Sequence, residues 1–510
     1  MSPDEVDVVV VGTGAGGAPV LAELAAAGLR VVALEAGPYF DPARHTPDEL
    51  DAVEINWMSD RLSAGDDPIA FGPNTSGRGV GGSTLHWGAF TPRPDAGQLR
   101  LRTETGLGRD WPFDLAELAP YLRRAERDIG VSGPADYPWD PTRRYDYPPV
   151  ARNAPAQRMA EGCDALGIRY ATAPAAVLTR DRHDHGGTRL ACIACGACHQ
   201  GCRTASKATM GTTYLPAAVR SGAEIRAEAM VHTIETDAGG RVTAVVYRQG
   251  GVDVRQRCRV LVLAGGGVET PRLLLWNDLA NASGHVGRNF LAHPAAQVWG
   301  TFDAQQRGHR GYPSSLITED FVHPAKTRQA DADFAGGYLL QSLGVMPLTY
   351  ATSLVRGGGL WGDDLMAALD NARFTAGIGM NGECLPSEDN VLTLSGEDDE
   401  YGIPRARIAF TAGPNERALE AHATAVMTRI LEAAGATSTR VLARTAHTLG
   451  TCRMSVDPAD GVVDGDGRSH EIPNLWIADN STFPSALAAN PGLTQMALSL
   501  RTAARIVAAM

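Results

Sequence analysis

The 510-residue sequence has no apolar run of membrane-spanning length and no low-complexity tract, which excludes a spanning helix and a disordered scaffold as organising features. Lysine is nearly missing. Lys207 and Lys326 are the only two, so arginine carries almost all the positive charge. Positive charge is also in deficit, with a formal net charge of -12, which argues against nucleic acid as a partner. Strand-like residues begin at Val6, too early for a signal peptide, so a cytoplasmic location is expected. The remaining composition, 44% hydrophobic and 20% charged, is that of an ordinary enzyme long enough for two domains.

Against these absences stands one dense stretch, Val6 to Gly37. The β-branched run Val8 to Val11 reads as a buried parallel strand, and Gly12, Gly14 and Gly17 follow in G-x-G-x-x-G spacing. Gly12 permits the tight turn into a helix, Gly14 admits a pyrophosphate against backbone, and Gly17 lets helix and strand approach. The N–H groups of the helix start then face phosphate charge. A second strand (Arg30 to Leu34) ends at Glu35, about twenty residues beyond the glycines, where an acid can bind ribose hydroxyls. Together these predict a dinucleotide site. After an irregular excursion over 38–76, the loop Gly77 to Pro92 (GRGVGGSTLHWGAFTP) can lie flat on a ligand with Ser83 free to donate, and a plain hairpin would leave His86 and Trp87 without a purpose.

Cys192, Cys195, Cys198 and Cys202 follow the C-x-x-C-x-x-C-x-x-x-C order of a ferredoxin-type cluster, although no proline follows and the run occurs once. An iron–sulfur cluster, zinc and a metal-free knuckle of thiols are the three readings. From 229 the pattern predicts a three-stranded meander (Ala229 to Thr236, Arg241 to Arg248, Val252 to Arg257), then a separate strand Val260 to Ala264 and a helix Glu269 to Trp276. A helix capped by Asn415 runs towards Gly435, and a last amphipathic helix starts near Leu493. His447 stands among small residues at the end of a strand-like segment, and Asn490, before Pro491, opens a turn.

These blocks resemble the glucose-methanol-choline (GMC) oxidoreductases. The resemblance rests on GTGAGG with Glu35, GRGVGGSTLHWGAF, VLAGGGVETPRLLLW with HVGRNFLAHP, GECLPSEDNVLTL, and HTLGTCRM through DNSTFPSALAANPGLT, spread over most of the chain. It implies an α/β fold in which a Rossmann-like FAD-binding domain (1–100, 203–295, 441–510) is interleaved with an α+β substrate domain and cap built on an antiparallel sheet (101–202, 296–440). It implies that Gly12, Gly14 and Gly17 hold the FAD pyrophosphate, Glu35 the adenosine ribose and Val231 the adenine. Gly79, Gly82, Ser83, His86, Trp87 and Pro491 fall on the flavin side, and Asp479 near the ribityl chain. His86 matches a histidine that pyranose oxidases bond covalently to FAD and several sugar dehydrogenases leave unlinked.

In the same resemblance His447 takes the place of the catalytic histidine and Asn490 that of its His or Asn companion. A neutral His447 can accept a hydroxyl proton while hydride leaves the carbinol carbon for flavin N5, and Asn490 can hold the substrate oxygen. The expected activity is oxidation of a sugar, glycoside or polyol CH–OH group to a carbonyl, with oxygen or a quinone-type acceptor. A dehydrogenase relaying electrons through an iron–sulfur cluster to a partner, and a hydroxynitrile lyase-type enzyme with a structural flavin, are the alternatives.

Overall fold

In a computed structural model of the chain, residues 5–41, 49–56, 61–70, 76–184, 187–323 and 333–510 are described. Lys326 and parts of the expected excursion over 38–76 lie outside them. Val8, Val9 and Val10 of Glu5–Val11 are buried, so both faces are covered at its centre, as in a covered parallel sheet. That strand lies between Val31–Leu34 and Val252–Leu263, with Val10 opposite both Ala33 and Val262. Glu224–Arg226 extends the sheet beyond Val31–Leu34. On the far edge of Val252–Leu263, residues 252–257 pair antiparallel with Val242–Gln249, and residues 261–263 pair parallel with Leu475–Ile477. The third meander strand and the separate strand expected at 260 are therefore one 12-residue strand. Its first half closes an antiparallel ribbon, and its second half enters the parallel sheet.

The second large sheet is antiparallel, in the order Ser438–Leu442, Gln297–Thr301, Thr375–Gly382, Tyr338–Leu343, Leu316–Thr318, Ala171–Thr172. Helix Pro414–Ala433 covers it, burying Leu419, Ala423, Val426, Met427 and Ile430 along one stripe. The expected cap is displaced by two residues. Gly413 precedes the helix and donates its N–H to Glu416 (3.0 Å), while the Asn415 amide is engaged with both backbone groups of Ala335. Helix Leu115–Ile129 starts at Asp114, which accepts from Glu117 N–H (2.9 Å), and its buried face (Leu118, Leu122, Ala125, Ile129) belongs to the same core as the parallel sheet.

A two-stranded ribbon, Phe290–Pro294 against Thr445–Gly450, brings the site together. A bulge between Leu291 and His293 shifts its register, so that His293 lies opposite Ala446. Bulges re-aim side chains. Here the two imidazoles, His293 and His447, meet with ring centres 4.8 Å apart.

Candidate active site

One cavity of about 790 Å³ runs from the first glycine turn to this ribbon. Gly12 and Gly14, Glu35, Gly82 and Ser83, His86 and Trp87, Val231, Asp479, His447, Asn490 and Pro491 all line it. Gly17 and Gly79 do not. A Cβ on Gly17 would lie 2.0 Å from Gly12 O, so it serves helix-on-strand packing, and one on Gly79 would strike the Phe40 ring at 2.5 Å.

At the glycine end the walls are backbone. Gly12 has φ 98°, open to glycine at little cost, and a Cβ on Gly82 would stand 2.6 Å from Gly14 Cα, so the two loops touch only because neither has a side chain. Glu35 is buried and accepts from Thr13 N (3.0 Å), Thr13 Oγ1 (2.7 Å) and Gly37 N (3.1 Å). Burial outweighs those bonds and raises its carboxyl pKa. Asp479 is bonded likewise: Gly266 N (2.8 Å) and Thr270 Oγ1 (2.6 Å) donate to one oxygen, and Ser481 N (2.9 Å) to the other. It thereby ties the start of helix Gly266–Trp276 to the last parallel strand. Val231, just before a bulge in its strand, completes this end.

At the other end the walls are side chains. His447 holds φ 64° within its strand, a conformation that costs about 1–3 kcal/mol in a non-glycine residue. Its Nδ1 lies 3.1 Å from Nδ1 of fully buried His293, so the pair shares one proton along that contact. Burial, then the neighbouring His293 and Arg444, push the His447 pKa well below its ordinary value. Burial takes His293 down to about 4. Asn490 precedes helix Pro491–Ala509, and its Oδ1 accepts from Asn381 Nδ2 at 3.1 Å. With the oxygen engaged, the amide NH₂ is the part left to offer. His86 is buried, and its Nε2 has no hydrogen-bond partner. Its pKa falls to about 3, through burial first and then the Lys207 and His199 charges.

The glycine-walled end, two carboxylates, a long continuous cavity and the orphaned His86 Nε2 together fit an FAD-sized group. The residues that sequence reasoning missed here are His293, Asn381 and Arg444. His293 lay inside the quoted HVGRNFLAHP block, but only its cross-strand position gives it a role. Asn381 and Arg444 come from the antiparallel side and carry no local signal.

The four cysteines of the C-x-x-C-x-x-C-x-x-x-C run lie together. Cys192, Cys195, Cys198 and Cys202 line one small recess of about 20 Å³, yet no three His, Cys, Asp or Glu side chains among the described residues are arranged to hold a metal ion. All four are free thiols, and burial raises the pKa of Cys192 and Cys198, which keeps those two protonated. What organises the knuckle is Lys207. Its buried ammonium donates to the carbonyls of Cys198 (2.6 Å), Leu85 (2.8 Å) and Trp87 (3.2 Å), binding the cysteine segment to the His86 loop.

A parallel sheet with a glycine crossing, joined to an antiparallel sheet over a shared cavity, defines a two-part nucleotide-cofactor oxidoreductase. GMC oxidoreductase profiles match residues 63–295 and 386–499, and the chain belongs to that family, whose members bind FAD. It is 32% identical to 2-methyl-1,2-propanediol dehydrogenase of Mycolicibacterium austroafricanum over 98% of this chain and 95% of that one. It is 31% identical to paromamine 6'-oxidase of Streptomyces fradiae over 98% and 90%. The fold matches the crystal structure of pyridoxine 4-oxidase from Mesorbium loti with a TM-score of 0.67 at 16% identity, covering 98% and 99% of the two chains.

Proposed function

We propose that this chain oxidises a CH–OH group of a sugar, glycoside or related polyol to a carbonyl, with His447 as base and Asn490 as the residue that holds the substrate oxygen. The observation that carries this reading is that both side chains line the same cavity as Gly12, Gly14 and Glu35. The full-length similarity to a diol dehydrogenase and an aminoglycoside oxidase supports a hydroxyl substrate.

FAD, when bound, supplies the acceptor for the hydride. Gly12 and Gly14 offer backbone to its pyrophosphate, Glu35 an acid to its ribose, Val231 its backbone, and Ser83, His86 and Trp87 a wall on the flavin side. His447 has Nδ1 turned to His293, so Nε2 is the nitrogen left for the substrate. When the shared proton resides on His447 Nδ1, the Nε2 lone pair can take the hydroxyl proton. Asn490, its oxygen held by Asn381, donates its amide to the substrate oxygen and keeps the hydroxyl in line. The division into an FAD part (1–100, 203–295, 441–510) and a substrate part (101–202, 296–440) belongs to this reading, with helix Leu115–Ile129 packed on the FAD side.

The test is anaerobic bleaching of protein-bound flavin by a panel of sugars and alcohols. Bleaching by at least one is expected, and flavin that stays oxidised with every member would favour lyase chemistry. Admitting oxygen or a quinone afterwards identifies the acceptor. The proposal routes no electrons through the cysteines, so iron and labile sulfide well below one cluster per FAD are expected. Stoichiometric amounts would overturn that part.

A further inference from the structure

The cavity holds two arginines that the proposed chemistry does not use. Arg444 stands three residues before His447, and Arg356 lies near the end of helix Pro347–Gly358. The two backbones abut, with Ala443 N donating to Gly357 O at 3.0 Å, and both side chains line the cavity. Among the described residues, neither side chain has a hydrogen bond, ion pair or ring contact. Both residues are exposed, so their N–H groups are free for a ligand that enters the cavity.

Every carboxylate that lines the cavity, among the described residues, is already engaged. Glu35 is held by Thr13 and Gly37, Glu49 by the N–H groups of Leu348 and Thr349, Glu269 by Arg61 and Arg272, and Asp479 by Gly266, Thr270 and Ser481. Among the described residues, therefore, no carboxylate is left to pair with Arg356 or Arg444. Arg444 is exposed at the cavity wall, and the protein packed around it lowers its pKa through desolvation. Its charge also acts on His447 from one side and on His199, which is bonded to the His86 carbonyl, from the other.

We infer that the substrate is an anion, a hydroxyl compound bearing a carboxylate or phosphate, whose charged group is bound by Arg444 and Arg356 while its hydroxyl lies at His447 and Asn490. Guanidinium recognises both groups through paired N–H donors. This inference rests on the proposed alcohol oxidation and narrows it: polycationic aminosugars, the substrate type named for the paromamine relative, are disfavoured by two uncompensated positive charges. It also gives the arginine a part in proton transfer. Unpaired, Arg444 opposes protonation of His447. Once an anion neutralises it, the imidazole accepts the hydroxyl proton more readily.

The experiment uses the FAD-loaded full chain and matched sets: a sugar, its carboxylate derivative and its phosphate ester. At low salt an anionic member should reduce the flavin with kcat/KM at least about 10-fold above the neutral parent, with the advantage shrinking as salt is added. Which anion wins distinguishes carboxylate from phosphate. Arg444→Gln should lower the anion-to-neutral ratio by about 10–100-fold, with partial recovery in Arg444→Lys and a smaller loss in Arg356→Gln. A second readout needs no turnover: malonate and inorganic phosphate, titrated against the bound flavin spectrum, should perturb it, with Kd rising in Arg444→Gln. Equal rates for neutral and anionic members, or no spectral response to either anion, would overturn the inference. If no substrate bleaches the flavin, the alcohol-oxidation reading fails, and the anion titration still decides whether the arginines form an anion site.

Discussion

At the Gly12 end of the cavity the walls are backbone, and the carboxylates Glu35 and Asp479 are each held by several donors. At the His447 end the walls are side chains: one histidine adopts φ 64°, two buried imidazole nitrogens (His86 Nε2 and His293 Nε2) have no partner, and two arginines face the cavity unpaired. At the first end both carboxylates are engaged before anything binds, and only backbone N–H groups are left to offer. The second still has donors, acceptors and charge to satisfy. A region that only anchors a ligand can be completed in advance, whereas a region that must move a proton and discriminate substrates keeps its polar capacity open.

The sharpest way to break that contrast is His447→Ala. FAD content should stay near wild type while substrate-driven flavin reduction falls by about 10³–10⁴-fold, the loss of a base together with its orientation. Single-turnover rates unchanged from wild type would remove His447 from the mechanism. Gly17→Ala attacks the opposite end. Its methyl would lie 2.0 Å from Gly12 O, so a loss of about 3 kcal/mol or more and a lowered FAD content are expected, read by thermal melting and by flavin absorbance per protein. A variant that melts and loads like wild type would show that the helix can step back.

His293→Asn sharpens the comparison within the reacting end. Flavin reduction should slow by about 10–100-fold with a shifted pH profile, because the residue acts only through His447 Nδ1. A change in KM alone would speak against this positioning role. The smallest effect concerns pH. Buried Glu383 donates its charge to no cation; it accepts from Cys384 N and Leu487 N, and burial raises its carboxyl from 4.5 to about 8. Between those values the unfolded chain releases this proton and the native state keeps it, so stability from this group is full below pH 4.5 and is lost as pH rises through 8. Glu383→Gln should flatten the fall in Tm over that window. Parallel Tm curves for the two proteins would rule this out. His293 works in the opposite direction, its contribution being present above pH 6.5 and lost towards 4.

The contrast also explains what could be read in advance. Gly12, Gly14 and Glu35 announce themselves because backbone-walled sites need glycine at fixed spacing and an acid at fixed distance, and those spacings are local in sequence. The antiparallel sheet, the Arg444–Arg356 pair and the Asn381–Asn490 contact join segments tens to hundreds of residues apart, so no window contains them. His447 was assigned through resemblance, since a lone histidine between small residues has no local signature. The Asn415 cap failed because tertiary contact with Ala335 outbid the helix for its side chain, and the cysteine spacing gives no sign that the Lys207 ammonium binds that segment to the His86 loop.

Gly12 and Pro491 stand on one cavity although 479 positions separate them in the chain, and Leu475–Ile477 reaches the central strand only from the far end of the sequence. During synthesis, therefore, the Gly12 turn must wait for Pro491 to emerge from the ribosome before the chamber can shut. A truncated product could fold its early strands and still retain no flavin.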